Sequence, residues 1–133
     1  MEIQVKVRDA DAMQAARQPL EWVLVFKEER ISLRDLIRER VYQEVDAYNQ
    51  ESGGLFHGLV QPGEAERTLN GFRMPKKHLI DREVQYKEAL ELFEQNGFIV
   101  LADDRQIETL DQEIVLKSDS VITFLKLIPL VGG

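Results

Sequence analysis

Apolar and polar residues alternate along MEIQVKVRD, with Ile3, Val5 and Val7 on one face and Glu2, Gln4 and Lys6 on the other. A period of two predicts a strand with one buried face. The following ADAMQAARQPL is polar and alanine-rich, which predicts a connection with room for a helical turn ended near Pro19. In EWVLVFKEE, Trp22, Leu24 and Phe26 alternate with Val23 and Val25, so one or both faces should be covered. These two strands are expected to form a hairpin.

At Ser32 the period changes. SLRD sets a hydroxyl at a helix N-cap and an acid three residues on. Leu33, Leu36, Ile37, Val41, Val45 and Tyr48 then mark one helical face, with Arg34, Arg38, Glu39 and Glu44 expected to point elsewhere and the helix to end near Asn49. From 50 to 79 the pattern is lost. Gly53, Gly54, Gly58, Gly63, Gly71 and two prolines make this stretch turn-rich. Leu55, Phe56, Leu59, Val60, Leu69, Phe72 and Met74 make it too apolar for a disordered linker. It is expected to pack back on the domain, with a short helix at GEAERTL.

Asp81 predicts the N-cap of a second helix with Tyr86, Ala89, Leu90 and Phe93 on one face, and Gly97 predicts its stop as a C′ residue. FIVLADD reads as a continuous apolar strand ending in an Asp103-Asp104 turn. RQI is a short strand, with a turn or helical bend beyond Thr109. SVITFLKLIPL is the last strand, with Val121, Thr123, Leu125 and Leu127 on one face.

Composition narrows the function more than the fold. The 133 residues predict one domain over 1–133, with an insertion at about 50–79 and a flexible tail at 128–133. Apolar residues make up 44% and charged residues 31%, as in an ordinary soluble protein. The apolar run near Val121 to Leu130 is broken by Thr123 and Lys126 and is too short for a bilayer. The N-terminus reads as a strand rather than a signal peptide, so the expected location is cytoplasmic, with no membrane partner. A net charge of −7 argues against nucleic acid. The one basic cluster, Lys76-Lys77-His78, has a solvated loop as its plainer reading.

There is no cysteine, which removes disulfides, thiolate metal sites and a thiol nucleophile. This chain could only be the acyl side of a thioester. His57 and His78 have no ligand spacing, so no metal site is expected. Asp103 and Asp104 suit a turn better than a cation site. Ser118 and Ser120 flank Asp119 with no nearby histidine, which is turn chemistry rather than a hydrolytic triad. Tyr42, Tyr48 and Tyr86 fall at helical spacing and are expected in or near the core. ESGGLFHG lacks the lysine and following helix of a phosphate loop. No catalytic side chain is expected; the chain does not read as an enzyme.

Strand, strand, helix, irregular segments and a final strand make an α+β layout. If the first and last strands are central and parallel, a mixed sheet packs on the helix as a β-grasp. MEIQVKV resembles the opening strand of ubiquitin, and FIVLADDRQIETLDQEIVLKSDSVITFLKLIPLVGG follows the order of its second half. The tail LIPLVGG is similar to the ends of the molybdopterin and thiamine sulfur carriers, which are apolar, often proline-bearing and diglycine-terminated. The resemblance covers roughly the first 50 and last 36 residues.

That resemblance implies a ubiquitin-like modifier acting through Pro129, Leu130, Val131, Gly132 and Gly133. An activating enzyme would adenylate the Gly133 carboxylate with ATP. A conjugating enzyme would pass it to amines of target proteins, and a processing or deconjugating protease would complete the set. The chain would be a monomer with no cofactor of its own. Glycines suit a tail threaded through a narrow channel, because side chains there would clash. Residues 128–133 span about 20 Å when extended. Ubiquitin's tail carries arginines, whereas here only Lys126 is basic, which implies dedicated enzymes such as those of bacterial ubiquitination-like operons. The insertion would then serve partner recognition. Two alternatives stay open: a sulfur carrier with a Gly133 thiocarboxylate, and a non-conjugated β-grasp interaction domain.

Overall fold

The alternating N-terminal segment forms β1 (Ile3–Asp11), which pairs antiparallel with β2 (Leu20–Phe26) from Ile3↔Phe26 to Asp9↔Leu20. A computed structural model of the chain describes residues 2–12, 20–50, 55–56, 59, 66–68, 71–73 and 79–127, with the backbone alone at 55–56, 66–68 and 71–73. β3 (Arg30–Ser32) runs directly into α1 (Leu33–Gln50). β4 (Leu55–Phe56), β5 (Glu66–Thr68) and β6 (Gly71–Arg73) form a small sheet of order β4-β6-β5. α2 (Arg82–Glu94), β7 (Phe98–Ala102), β8 (Arg105–Ile107), β9 (Glu113–Val115) and β10 (Val121–Lys126) complete the elements.

The main sheet has the order β2-β1-β10-β7-β8. β1 and β10 run parallel inside it, which meets the condition set for a mixed sheet packed on the helix, and its other pairings are antiparallel. β3 and β9 form a separate antiparallel ribbon. Over the described residues the architecture is therefore α+β, with a mixed five-stranded sheet and two helices.

Strand alternation decides which side chains close the core. Val5, Val7, Leu24, Phe26, Phe98, Val100, Ile107, Ile122 and Phe124 are buried in one cluster. All six apolar positions expected on the face of α1 join them. On β10 the buried pair is Ile122 and Phe124, whereas Val121, Thr123, Leu125 and Leu127 are half-buried on the other side. β2 is covered on one face only: it is an edge strand, and Val23 is 55% exposed.

Both helix starts follow their capping residues. Ser32 Oγ accepts from the Asp35 N–H at 3.1 Å. The first-turn N–H groups of Leu33 and Arg34 donate to the carbonyls of Gln112 (3.1 Å) and Leu110 (2.9 Å), so the bend after β8 satisfies donors a helix leaves open. At α2, Asp81 Oδ1 accepts from Glu83 N–H (2.9 Å) and Val84 N–H (3.3 Å). Its end differs from expectation. Asn96, at φ 61°, is the left-handed C′ residue, and Gly97 is the next one. Gly97 N–H donates to Leu92 C=O at 2.8 Å and Asn96 N–H to Phe93 C=O at 3.0 Å, a Schellman closure in which asparagine takes glycine's usual place.

A second correction concerns GEAERTL. Glu66–Thr68 is a strand, pairing Thr68↔Gly71 and Glu66↔Arg73, rather than a helix. Helix formation over so short a stretch is marginal, and pairing with β6 outweighs it. Leu59 is fully buried in the core cluster, in line with a segment that packs back on the domain.

α2 is fastened beside α1. The Tyr42 and Tyr86 rings meet edge-to-face at 6.1 Å, the Tyr42 hydroxyl donates to Glu83, and Arg82 pairs with Asp46 at 3.0 Å. Asn49 takes both backbone groups of Ile80, at 2.9 and 3.0 Å. Phe93, Phe98 and Phe124 continue the core in a row with centroids 5.7 and 6.0 Å apart. Among the described residues, no helix is long and apolar enough to cross a membrane.

Candidate functional site

β10 leads toward residues 128–133, the expected tail, so its last residues are the described ones nearest that stretch. Pro129, Leu130, Val131, Gly132 and Gly133 lie outside the described residues, as do His57 and Lys76-Lys77-His78. What the structure describes is the root, Lys126 and Leu127. Leu127 N–H donates to Gly97 C=O at 2.9 Å.

At this end of the sheet the apolar pattern of the core face gives way to charge. Asp9 follows Val5 and Val7 at period two, and Lys126 follows Ile122 and Phe124 in the same way. The parallel register sets Asp9 opposite Phe124 and Asp11 opposite Lys126. From α1, Arg40 enters the core with no exposed surface. Its Nη1 and Nη2 donate to Asp9 Oδ1 and Oδ2 at 2.6 and 2.7 Å, a bidentate fork. Its Nε donates to Glu44 Oε2 at 3.3 Å. The guanidinium lies over the rings of Phe124 (4.3 Å) and Trp22 (4.9 Å), so its faces are covered as well as its edges. Glu44 Oε1 accepts from the Leu59 N–H at 2.9 Å. Lys126 Nζ stands 3.8 Å from Asp9 Oδ2, with its side chain 21% exposed.

The electrostatics follow from burial. Glu44 is pushed up from the ordinary glutamate range by desolvation, opposed by the Arg40 charge and the Leu59 N–H. Lys126 is pushed down by desolvation, with Asp9 opposing. For Arg40, burial acts against the charge, and Asp9 and Glu44 together more than offset it. Two cations and two carboxylates sum to zero and bond one another. The arrangement is therefore suited to fastening β1, β10, α1 and Leu59 together rather than to attacking a substrate.

Sequence reasoning missed this cluster, although its signal is present. Arg40 lies seven residues after Leu33, and Glu44 seven after Ile37, on the buried stripe of α1. Glu44 was expected to point away from that stripe; instead it bridges Arg40 and Leu59, because two buried donors need its two oxygens. The turn readings fare differently. Asp103, at φ 54°, closes the link between β7 and β8 and exchanges two hydrogen bonds with Val121, its N–H to the Val121 C=O (2.7 Å) and its Oδ1 from the Val121 N–H (3.0 Å). Ser120 Oγ accepts from Lys117 N–H at 2.9 Å, and Ser120 N–H donates to Lys117 C=O at 3.0 Å. Both serve the start of β10. No family model matches the chain, and neither a curated protein nor a solved structure matches it.

Proposed function

We propose that the chain is a ubiquitin-like modifier of β-grasp architecture, conjugated through the carboxylate of Gly133 to an amine on a target protein. The observation that carries this reading is the sheet order β2-β1-β10-β7-β8, in which the middle strand, β10, continues into LIPLVGG. A tail that follows a middle strand leaves from a rigid body paired on both sides. Its root therefore has a defined direction, and glycines at 132 and 133 leave the reacting end slender.

The chemistry needs no side chain of this protein. The Gly133 carboxylate attacks the α-phosphorus of ATP, and pyrophosphate leaves. A thiol of the activating enzyme displaces AMP to form a thioester. The target amine then attacks the acyl carbon, expels the thiol and loses a proton to give the amide. The chain supplies the acyl carbon; ATP, thiol and amine come from its partners: an activating enzyme, a conjugating enzyme, a target and a trimming protease. The reading places it in the cytoplasm as a monomer, with the insertion at 50–79 as a recognition surface. A sulfur carrier would share the adenylate but take up sulfide in place of the thiol.

Co-expression with the activating enzyme encoded nearest its gene tests this. Higher-mass adducts that vanish on deletion of Gly133 support the modifier. An intact-mass gain equal to one sulfur-for-oxygen exchange, without adducts, supports the carrier. Neither product, with the tail-deleted chain fully active, leaves an interaction domain.

A further inference from the structure

We propose that Glu44, Arg40, Asp9 and Lys126 form one bridging chain that positions the root of the tail according to where Leu59 sits. The inference rests, for its consequence, on the reading that the tail is delivered to an activating enzyme; the coupling itself does not.

The links are specific. Leu59 is fully buried, and its N–H goes to one oxygen of Glu44 while the other oxygen takes Arg40 Nε. A carboxylate can hold two donors at once in this way; an amide has a single acceptor oxygen. The guanidinium is planar and rigid, so a turn of Nε that follows Glu44 also moves the fork that holds Asp9. The Phe124 and Trp22 rings cover that plane and leave sliding within it as the free motion. Asp9 Oδ2 is shared between Arg40 and Lys126. Lys126 in turn precedes Leu127, whose N–H is held by Gly97.

Leu59 belongs to the stretch that interrupts the sequence pattern, and Leu127 is where the sheet ends. Hydrogen bonds through Glu44, Arg40 and Asp9, which have little or no contact with water, and the 3.8 Å ion pair from Asp9 to the partly exposed Lys126 join these two places. The root sets where the tail starts and which way it leaves the sheet, and a start already held in the delivering direction need not be ordered by the enzyme. Arg40 and Glu44 therefore act as positioning residues.

Two conservative variants of the full chain test this by amide hydrogen exchange. Glu44→Gln keeps the shape but can satisfy either Leu59 or Arg40, not both. Lys126→Met removes the charge at the far end from a side chain that reaches water. Exchange at Leu127 should quicken about fivefold or more in Glu44→Gln, and exchange at Leu59 should do so in Lys126→Met, because coupling is reciprocal. The amides of Val5 and Ile122 should keep their protection. If each variant disturbs only its own neighbour, the coupling is refuted.

A second arm measures ATP–pyrophosphate exchange by the activating enzyme with each chain as substrate. Positioning predicts a lower kcat for Glu44→Gln at an unchanged KM. A raised KM at constant kcat would instead make Glu44 part of a docking surface and overturn the positioning role. No exchange with the wild-type chain would sink the modifier reading, while amide exchange would still decide the coupling.

Discussion

Replacing Arg40 with methionine should cost this protein a large part of its stability. The side chain has no exposed surface and makes three charged hydrogen bonds, at 2.6, 2.7 and 3.3 Å. Methionine retains the apolar stem and can lie against Phe124 and Trp22, so little packing is lost. What remains is a buried Asp9, with Lys126 at 3.8 Å as its nearest relief, and a Glu44 held by the Leu59 N–H alone. Removing one partner of a buried ion pair costs about 3–5 kcal/mol. For a chain of this length that lowers Tm by roughly 11–18 °C.

The double variant Asp9→Leu/Arg40→Met supplies the control. It removes both charges of the fork, leaves Lys126 able to reach water and leaves Glu44 with the Leu59 N–H alone, so it should be clearly more stable than the sum of its two singles predicts. Trp22 is the one tryptophan in the chain, and its ring lies 4.9 Å from the guanidinium. Urea titrations followed by its fluorescence and by far-UV circular dichroism would report on this site and on the whole fold. A single-variant cost below about 1 kcal/mol, or a double variant as unstable as the sum of its singles, would refute the pairing.

Burial raises Glu44 above the ordinary value near 4.5. Between that value and the folded one the native state holds the extra proton, so this group's contribution is full at lower pH and is lost as pH rises. The stability advantage of wild type over Glu44→Gln should therefore shrink with rising pH across that window in urea midpoints; an advantage that grows would contradict the shift. Gln43 covers the outer edge of β2, donating to the Val25 C=O at 2.9 Å and accepting its N–H at 3.4 Å. Gln43→Ala should cost about 1 kcal/mol and promote concentration-dependent association through the bared edge, visible by light scattering. At Asn96, φ 61° predicts that alanine costs about 1 kcal/mol while glycine costs nothing, a contrast thermal melts would detect.

The sequence by itself determined the elements whose signals are local. A period of two marked β1, and the spacing of Leu33, Leu36, Ile37, Val41, Val45 and Tyr48 marked the buried face of α1. Ser32 and Asp81 announced helix starts because a capping side chain bonds its own next turn. β3 and β9 carry no such signal: each is three residues long and exists only because it pairs with the other across some eighty positions. Gly97 was expected to close α2 as its C′ residue, and only the backbone angle gives that place to Asn96.

The charged cluster shows the division most clearly. Asp9, Arg40, Glu44 and Lys126 each occupy a position where period and spacing call for burial, yet hydropathy assigns a lone charge to water. Burying any one of them alone would be too costly. Only the tertiary structure, by bringing β1, β10, α1 and Leu59 to one place, lets each charge replace its lost water with a partner. The diglycine is legible in the sequence; what holds the end of β10 that leads toward it is decided by the fold.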